Sequence, residues 1–420
     1  MILEITPSPF KGEVNAINSK SELHRVLICA SLSDSPCTLE LGNPTDALSN
    51  DVLATIDCLI TLGADIKISD TEINVTPIKE IPENPVLDCK ESGSTLRFLM
   101  PVATALCDSV TFKGNERLTE RPIGSLRSAL EAHGVSFSSD GLPFTTKGKL
   151  QPGKFEVTGD LSSQYVSGLL LALPIFEEKC SIKLTTPLLS RGYVELTIKA
   201  LAEFGVATVS PTSNTFSIIK RGRGYISPSS IKVEGDWSNA AFFYVANFLG
   251  NDVTINNLKF NSLQRDKSIL DFLSLYTAEI ENDDDSIILG AKNYEIDLVN
   301  TPDLLPALSI AAAYADGKTT FKGAARLRLK ESDRLTSVCA LINSLGGKAE
   351  DTDDGIIVYP QPLKGGTVES FGDHRIVMAA TIASTRCENP VIINEARAVD
   401  KSYPRFFKDI ESLGGKLNVI

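Results

Sequence analysis

Long apolar runs are missing from this sequence of 420 residues, and no stretch reaches the roughly 18 uninterrupted apolar residues that a membrane-spanning helix needs. Its first residues, MILEITPSPFKGEV, lack the basic and then apolar segments of a secretion signal. Histidine is scarce, with three residues, and the eight cysteines are scattered without CxxC spacing or His neighbours. That scatter argues against a zinc site and a disulfide framework. We therefore expect a cytoplasmic protein with reduced, mostly buried cysteines and no bound metal.

Positive charge is in deficit, because 41 Lys and Arg residues face 53 Asp and Glu residues, for a formal net charge of −12. This balance argues against a broad nucleic-acid-binding surface. An anionic small molecule would need cationic side chains concentrated in one place. The composition is otherwise typical of a globular protein, with 42% hydrophobic and 22% charged residues, and the length predicts about two domains.

The chain repeats itself with a period of roughly 70 residues, and about six periods fill it. Each period has an amphipathic helical stretch, usually followed by a glycine that suits the left-handed position after a helix. These glycines are Gly63, Gly134, Gly205, Gly346 and Gly414, whereas the stretch at 268–280 has none. Short alternating runs, such as residues 181–185 and 355–359, predict strands. Three periods could close one domain, so the repeat predicts two domains of helices and strands.

A second helix in each period is apolar on nearly every side, which predicts that it is buried inside its domain. These helices start near His24, Leu96, Tyr165, Ala240, Leu304 and Arg375. Each follows polar residues, many of types that cap helices: Ser19, Lys20, Ser21, Ser92, Gly93, Ser94, Ser162, Ser163, Gln164, Asp236, Ser238, Asn239, Asp303, Asp373 and His374. Helix N-termini present unsatisfied N–H groups and a positive dipole end. Six such starts on two facing surfaces predict a cleft that binds anions.

The most highly charged stretch is RLKESDR, at residues 328–334. As a helix it would place Lys330 and Arg334 on one face, with Glu331 one step round from Lys330. A solvated helix face is the usual explanation of an isolated charge run. The other polar clusters beside apolar helices favour a role for this stretch in the anion site.

Several further clusters carry side chains suited to anions. SKSELHR, at 19–25, brings Lys20, Ser21 and Arg25 to the start of one helix, and Lys and Arg both bind phosphate well. Similar clusters are ESGSTLR at 91–97, ERPIGSL at 120–126, GDLSSQY at 159–165, LSRGYVE at 189–195, NTPDLLP at 300–306, FGDHR at 371–375 and DKSYPRF at 400–406. Two alternatives are structural: Arg375 could pair with Asp373, and His374 could be a supporting hydrogen-bond partner.

Taken in order, the strings SKS, RPI, SSQ, GDxS, PD, KESDR, DHR and KSYP resemble the 5-enolpyruvylshikimate-3-phosphate (EPSP) synthase family of enolpyruvyl transferases over the whole chain. Each string is weak alone, and their ordered co-occurrence is specific. The resemblance implies an α/β (α+β) fold of two inverse α/β barrels, each of three βαβαββ repeats, joined by a two-strand hinge. It implies that residues 1–18 and 231–420 form one domain, completed by the N-terminal strand, and residues 19–230 the other. The active site would lie in the interdomain cleft.

The resemblance also implies a reaction. Enzymes of this family transfer the enolpyruvyl (carboxyvinyl) group of phosphoenolpyruvate to the 5-hydroxyl of shikimate 3-phosphate and release phosphate, by addition and then elimination. The reaction serves the shikimate pathway to chorismate and the aromatic amino acids, and it needs no cofactor. We expect a monomer that acts on these two small molecules, with no nucleic-acid or membrane partner.

Site residues follow from the same resemblance. Shikimate 3-phosphate would contact Lys20, Ser21, Arg25, Ser162, Ser163, Gln164, Ser190, Tyr193, Asp303 and Lys330. Phosphoenolpyruvate would contact Lys20, Gly93, Arg121, Gln164, Arg334, Arg375 and Lys401. Asp303 would take the hydroxyl proton while Lys330 polarises the same oxygen, and Glu331, or alternatively Lys20, would protonate the methylene. A carboxylic acid among cations is normally ionised, so donation by Glu331 needs burial or a relay.

Some residues depart from the family pattern, and other functions remain open. Glu91 and Ser94 stand where many members have Asn and Thr, and Arg326 stands where some have an Asn that touches shikimate. The nearest alternative is the sister transferase that acts on UDP-N-acetylglucosamine, but residues 113–120 lack its usual cysteine. A non-enzymatic anion-binding protein, or an RNA-end cyclase on a related repeat, would keep the helix N-termini without needing Asp303 and Glu331.

Overall fold

The computed structural model describes residues 1–219, 224–277 and 292–420. The chain divides into two compact units. We call Asn18–Asp236 the continuous unit, and Met1–Ile17 together with Trp237–Ile420 the two-segment unit.

Helices and strands alternate along both units. The helices are α1 (Lys20–Ser31), α2 (Asn50–Thr61), α3 (Gly93–Leu106), α4 (Gly124–Glu131), α5 (Ser163–Ala172), α6 (Arg191–Glu203), α7 (Trp237–Phe248), α8 (Ile269–Thr277), α9 (Leu305–Ala313), α10 (Arg334–Ser344), α11 (His374–Ala383) and α12 (Phe406–Ser412). The strands are β1 (Leu3–Thr6), β2 (Lys11–Asn15), β3 (Cys37–Glu40), β4 (Asp65–Ile68), β5 (Glu72–Thr76), β6 (Val86–Asp88), β7 (Ser109–Lys113), β8 (Ser136–Phe137), β9 (Phe144–Lys147), β10 (Lys154–Val157), β11 (Ser181–Leu184), β12 (Ala207–Thr212), β13 (Thr215–Ile219), β14 (Ser230–Lys232), β15 (Asp252–Asn256), β16 (Lys292–Asp297), β17 (Gly317–Lys322), β18 (Lys348–Thr352), β19 (Gly355–Tyr359), β20 (Gly366–Glu369), β21 (Val391–Asn394) and β22 (Lys416–Val419).

The six apolar helices are buried, as predicted: α1, α3 and α5 in the continuous unit, and α7, α9 and α11 in the two-segment unit. Five of them begin before the predicted apolar run, because the polar residues ahead of the run belong to the first turn. Helices α3 and α5 approach closely at Gly168, where a Cβ atom would lie 2.2 Å from the Arg97 carbonyl oxygen. Only glycine permits this backbone contact.

Glycine ends the amphipathic helices α2, α4, α6, α10 and α12, as predicted. Gly63, Gly134, Gly205, Gly346 and Gly414 have φ angles between +75° and +105°, the left-handed region that glycine adopts without a steric penalty. The predicted stretch at 268–280 forms α8 from Ile269 to Thr277, and residues 278–280 lie outside the described part of the chain.

The continuous unit contains the predicted repeat of strand, helix, strand, helix and hairpin. Its sheets have the strand orders β14-β3-β5-β4, β6-β7-β9-β8 and β10-β11-β13-β12. In each sheet the first two strands are parallel and the remaining pairs antiparallel. The first repeat takes its leading strand, β14, from the end of the unit, so residues 230–236 stay with the continuous unit.

The two-segment unit uses the same pattern with one strand from the start of the chain. Its described sheets have the orders β16-β17-β19-β18 and β20-β21-β1-β22, and β2 pairs in parallel with β15. Strand β1 lies between β21 and β22, where Leu3 pairs with Ile393 on one side and Val419 on the other. The N-terminal strand therefore lies within a sheet of the C-terminal half.

The fold class is confirmed as mixed α/β built from βαβαββ units, but the expected barrel closure is not seen. Among the described strands, the sheets of each unit remain separate. Each four-stranded sheet ends in edge strands that pair with no strand of another sheet. The units are therefore sets of sheets with buried helices.

None of the described helices is both long enough and apolar enough to cross a membrane. All eight cysteines are buried and free of disulfides, as predicted. Six of them, at positions 29, 37, 58, 89, 107 and 180, lie in the continuous unit.

His24, on α1, is a buried titratable group, with 1% of its surface exposed. Burial lowers its pKa from 6.5 to about 3; nearby Asp51 opposes this shift, whereas Lys20 and Arg25 add to it. The folded protein thus keeps His24 neutral at pH values where the unfolded chain protonates it. This contribution to stability is complete above the unfolded pKa and is lost as the pH falls from 6.5 towards 3.

We expect acid to destabilise the wild type more than the variant His24→Asn. Linkage predicts that the wild-type free energy of unfolding falls by about 2 kcal/mol more between pH 6.5 and 4.5. Urea unfolding measured by labelling the six thiols of the continuous unit reports on the unit that holds His24. The same pH dependence in both proteins would contradict this prediction.

Candidate active site

Side-chain caps are seen at the starts of the buried helices α1, α3, α5 and α11, at donor-to-acceptor distances of 3.0 to 3.4 Å. The capping residues are Ser19, Ser92, Ser162 and Asp373. Asp303 is different, because it lies in the 3₁₀ turn Pro302–Leu304 before α9 and its carboxylate contacts cationic side chains. The capping interpretation therefore holds for these three serines and for Asp373 but not for Asp303.

Lys20 begins α1 beside the start of α2. Its Nζ lies 2.8 Å from Asp51 Oδ2, and the exposed side-chain fractions are 16% and 7%. The backbone N–H of Lys20 donates to Asp236 Oδ2 at 3.1 Å. Two carboxylates thus hold the backbone and the ammonium group of Lys20 in place.

Arg25 joins α1 to the start of α6. Its Nε donates to Thr197 Oγ1 at 2.7 Å, and its Nη2 to the Tyr193 carbonyl at 2.9 Å. Nη1 donates to the Ser21 carbonyl of its own helix. Burial lowers the pKa of Arg25 to about 10, so its guanidinium stays charged at neutral pH. The structure brings together three residues predicted for one substrate: Ser21, Arg25 and Tyr193.

Ser190 precedes α6 in the left-handed conformation, at φ 52° and ψ 46°, and is buried. A non-glycine residue in this region carries backbone strain. Such strain concentrates at functional sites, and this position lies three residues before Tyr193.

Gly93 begins α3 in contact with Arg121. A Cβ atom at Gly93 would lie 2.7 to 3.0 Å from the Arg121 guanidinium atoms. The missing side chain therefore leaves the space that the guanidinium occupies. The structure places these two predicted residues side by side.

Gln164, in the first turn of α5, is held from α3. Arg97 Nη1 donates to Gln164 Oε1 at 2.7 Å, and Gln164 Nε2 donates to Ser94 Oγ at 2.9 Å. Arg97 Nη2 also donates to the Pro122 carbonyl at 3.0 Å, beside Arg121. The amide orientation of Gln164 is therefore fixed. Its neighbours Ser162 and Ser163 lie at the same helix start.

In the two-segment unit, Asp303 lies among three cations. Its Oδ1 is 2.6 Å from Arg334 Nη1 and 3.5 Å from Lys330 Nζ, and its Oδ2 is 3.3 Å from Arg375 Nη2. Burial alone would raise the pKa of the Asp303 carboxyl. The neighbouring Arg375, Lys330 and Arg334 outweigh this and hold that pKa well below its usual range. Asp303 is therefore ionised at neutral pH.

Arg334 organises the carboxylates of this cluster. It is 1% exposed, and it donates to Glu331 Oε2 at 2.6 Å and to Asp373 Oδ2 at 2.8 Å as well as to Asp303. Burial alone would lower the pKa of Arg334, but the three carboxylates raise it above its usual value. Asp373 also accepts from Ser332 Oγ and from the Arg375 backbone N–H, at 3.1 and 3.0 Å. Three cations and three carboxylates thus form one network.

The helical interpretation of RLKESDR is wrong. A 3₁₀ turn covers Ala325–Leu329, Lys330 is extended, and α10 begins only at Arg334. Asp333 caps α10 by accepting from the Thr336 N–H, which ends the preceding irregular segment. Lys330 and Arg334 meet at Asp303 because the chain turns there.

The remaining predicted residues have simpler positions. The Arg375 guanidinium contacts Asp303, and its backbone N–H donates to Asp373. Lys401 ends the 3₁₀ turn Ala396–Lys401 and is 9% exposed. Arg326, left out of the predicted site, donates to the Val299 carbonyl. Arg328 pairs with Asp333 and Asp351 on a more exposed surface, so it has a structural role.

Three functional contacts were missed from the sequence: Asp51 with Lys20, Arg97 with Gln164, and Asp373 with Arg334. Arg97 had a signal, because it is a charged residue within an otherwise apolar helix. Asp373 was noted among the polar residues before a buried helix and as a partner of Arg375. Asp51 had no signal beyond its place in a helix start.

The structure supplies no cluster for a metal, since residues 1–219, 224–277 and 292–420 contain no group of three or more His, Cys, Asp or Glu side chains that could hold one. The predicted residues lie at helix starts in the continuous unit and around a carboxylate among cations in the two-segment unit. The continuous unit holds Lys20, Ser21, Arg25, Gly93, Arg121, Ser162, Ser163, Gln164, Ser190 and Tyr193, and the two-segment unit holds Asp303, Lys330, Glu331, Arg334, Arg375 and Lys401.

Comparison with known proteins supports the family resemblance seen in the sequence motifs. The family described as EPSP synthase (3-phosphoshikimate 1-carboxyvinyltransferase) matches residues 5–410. Relatives named 3-phosphoshikimate 1-carboxyvinyltransferase include one from Clostridium beijerinckii, 39% identical over 98% of this chain and 97% of its own length. Another, from Clostridium perfringens, is 40% identical over 98% of each chain.

Solved structures share the fold. An EPSP synthase from Acinetobacter baumannii superimposes with a TM-score of 0.78 at 24% identity, covering 100% of both chains. An enolpyruvyl transferase from Streptomyces tendae does so with a TM-score of 0.75 at 16% identity, over 99% of this chain and 98% of the other. These two likenesses concern the fold, whereas the family match and the relatives cover nearly the full length in sequence. The chain belongs to the EPSP synthase family.

Proposed function

We propose that this protein transfers the enolpyruvyl group of phosphoenolpyruvate to the 5-hydroxyl of shikimate 3-phosphate and releases phosphate. The observation that carries the proposal is the Asp303 carboxylate, held ionised among Lys330, Arg334 and Arg375. In this proposal the carboxylate accepts the proton that the acceptor hydroxyl loses, a role that anion binding alone does not need. Membership of the EPSP synthase family supports the choice of reaction.

Shikimate 3-phosphate is the acceptor in this proposal. Its phosphate would bind hydroxyls and helix starts, and its ring hydroxyls would bind the Asp303 carboxylate and the Lys330 ammonium. The proposed contacts are Lys20, Ser21, Arg25, Ser162, Ser163, Gln164, Ser190, Tyr193, Asp303 and Lys330. The fixed geometry of Arg25 and Gln164 supports a preorganised site.

Phosphoenolpyruvate carries a carboxylate and a phosphate, which suit the planar guanidinium groups of arginine and the point charge of lysine. The proposed contacts are Lys20, Gly93, Arg121, Gln164, Arg334, Arg375 and Lys401. Arg334 would act mainly by holding Asp303 and Glu331, because only 1% of it is exposed.

The reaction needs two proton transfers. In the addition step the 5-hydroxyl oxygen bonds to C2 of phosphoenolpyruvate, its proton passes to Asp303, and C3 takes up a proton to become a methyl group. In the elimination step C3 returns a proton to the group that donated one in the addition, the bond from C2 to the phosphate oxygen breaks, and phosphate leaves. The product keeps the carbon–carbon double bond as an enol ether.

The donor of the methylene proton would be Glu331 or Lys20. Glu331 Oε2 accepts from Arg334 at 2.6 Å. Lys20 Nζ is within 2.8 Å of Asp51. In deuterated water, loss of deuterium incorporation at C3 in Glu331→Gln but not in Lys20→Met would assign the donor to Glu331, and the reverse result would assign it to Lys20.

The function is tested by phosphate release from phosphoenolpyruvate with two acceptors, shikimate 3-phosphate and UDP-N-acetylglucosamine. We expect release only with shikimate 3-phosphate. Release only with the nucleotide sugar would mean the sister reaction, and release with neither would favour a binding protein.

Gly93→Ala should raise the KM for phosphoenolpyruvate. The added Cβ would lie within 3.0 Å of the Arg121 guanidinium. Because this distance is too short for a contact, the guanidinium must move, and it can do so because it lies at the end of a flexible side chain. Displacing one charged hydrogen-bonding group predicts an increase of about tenfold, with the KM for shikimate 3-phosphate nearly unchanged. Steady-state kinetics in both substrates measure this difference.

Gly124→Ala is the matched control. Gly124 also begins a helix, α4, and a Cβ there would meet no atom within 4 Å. Both KM values should stay as in the wild type. Equal effects of the two alanines would show that the Arg121 contact is not the cause.

A cytoplasmic location and a monomeric state stay predictions. Sedimentation equilibrium of the purified protein at several concentrations would test the monomer.

A further inference from the structure

A buried chain of side-chain hydrogen bonds links three helices of the continuous unit. His24 Nδ1, on α1, is 2.7 Å from Thr55 Oγ1 on α2, which is 2.7 Å from Thr95 Oγ1 on α3. Thr95 Oγ1 is in turn 2.7 Å from Ser92 Oγ. All four residues are at most 1% exposed. Four polar side chains in succession are costly to bury unless every link is satisfied.

The chain of bonds has a direction. His24 Nε2 is buried and has no hydrogen-bond partner among the described residues, so the polar contact of the ring within that part of the chain is made by Nδ1. Orphaned buried N–H groups are rarer than unfilled acceptors, so the hydrogen-bond network assigns the proton to Nδ1. His24 then donates to Thr55, Thr55 to Thr95, and Thr95 to Ser92.

The chain of hydrogen bonds ends at Ser92, immediately before α3. Ser92 Oγ caps this helix by accepting from the Thr95 N–H at 3.2 Å, and the next residue, Gly93, packs against Arg121. A shift of Ser92 would therefore move the backbone on which the Arg121 guanidinium rests.

The middle of the chain of hydrogen bonds lies next to Asp51, which pairs with Lys20. The hydroxyls of Thr55 and Thr95 lie 3.4 and 3.3 Å from the Asp51 carbonyl oxygen, and the Asp51 carboxylate binds Lys20 Nζ. The same hydrogen-bond chain thus lies next to two proposed phosphoenolpyruvate contacts, the Gly93 backbone and the Lys20 ammonium, of which Lys20 is also proposed for shikimate 3-phosphate.

We propose that His24 is a positioning residue for phosphoenolpyruvate: through Thr55 and Thr95 it fixes the start of α3 at Gly93 relative to Lys20. This inference rests on the proposed function for its ligand, but the geometry it describes belongs to the protein alone. His24 itself contacts no substrate in this scheme.

The test compares variants that separate the hydrogen bond from the volume of the ring. His24→Leu keeps a side chain of similar size and removes the donor, whereas His24→Asn keeps a donor near the Nδ1 position and loses volume. Thr55→Val breaks the next link with the same shape. His24→Leu and Thr55→Val should raise the KM for phosphoenolpyruvate about tenfold, with the KM for shikimate 3-phosphate within about twofold. His24→Asn should stay close to the wild-type KM values.

Thr104→Val is the matched control. Thr104 is also a buried threonine on α3, but its hydroxyl donates only within its own helix, to the Met100 carbonyl at 2.7 Å and the Pro101 carbonyl at 3.2 Å. Its KM values should equal those of the wild type. A similar KM increase in this control, or equal increases for both substrates in His24→Leu, would overturn the proposal.

Amide hydrogen exchange of residues 93–96 provides a readout that does not depend on activity. We expect at least about tenfold faster exchange in His24→Leu than in Thr104→Val. If the wild type lacks turnover but this difference is found, the proposed function fails while the positioning geometry stands. Unchanged exchange in His24→Leu, together with an unchanged KM for phosphoenolpyruvate, would overturn the inference.

Discussion

Replacing Asp303 with asparagine is expected to lower kcat by about 10³-fold, the usual effect of losing a general base. The asparagine keeps the size of the side chain and removes the carboxylate that would take the hydroxyl proton. Because Lys330, Arg334 and Arg375 remain, the local positive charge increases, and anion binding should not weaken. The KM for phosphoenolpyruvate should therefore not rise, while single-turnover rates fall with kcat.

Asp353→Asn is a suitable control, because Asp353 is an exposed carboxylate of the same unit and its loss changes the net charge by the same amount. This control should retain wild-type kcat. A decrease of less than about tenfold in Asp303→Asn would be too small for a general base, and another group would have to accept the proton.

Arg334→Met is expected to lower both stability and activity. The substitution leaves Asp303, Glu331 and Asp373 without the buried cation that binds all three. Removing one partner of a buried ion pair costs about 3 to 5 kcal/mol, because the remaining charges stay desolvated. Turnover should fall as well, since Asp303 loses the group that orients it.

The single tryptophan of the chain, Trp237, is buried in the two-segment unit. Its fluorescence during urea unfolding therefore reports on the unit that contains Arg334. Arg328→Met is the matched control, because Arg328 pairs with Asp333 and Asp351 at side-chain exposures of 33 to 36%. Ion pairs of this kind contribute about 0 to 1 kcal/mol. Similar losses in both variants would refute the special role of the Arg334 network.

The repeat and its helices could be predicted from the sequence because their signals are local. A helix followed by a left-handed glycine, or an apolar helix after a serine, is encoded within about fifteen residues. The separate sheets were harder to predict, because strands such as β14 and β1 pair with partners far away in the sequence. Whether the edges of neighbouring sheets join depends on packing that no short segment encodes.

The candidate site shows the same difference between local signals and contacts far apart in the sequence. Its individual residues were predicted because they belong to motifs that resemble a family, but the bonds among them were not. Arg97 and Gln164 are 67 residues apart, and Arg334 and Asp373 are 39 apart. The RLKESDR error had a local cause, since Asp333 starts a new helix and the charge pattern alone does not show it.

The position of β1 between β21 and β22 affects how the protein is made. A ribosome delivers β1 first, but its two neighbours in the sheet emerge only after residue 390. At typical elongation rates that interval is roughly 20 to 80 seconds, during which both edges of β1 are without their final partners. The continuous unit, in contrast, contains all of its own strands by residue 236. Translation therefore favours a fixed order of assembly. The continuous unit folds first, and the N-terminal segment combines with the C-terminal segment last.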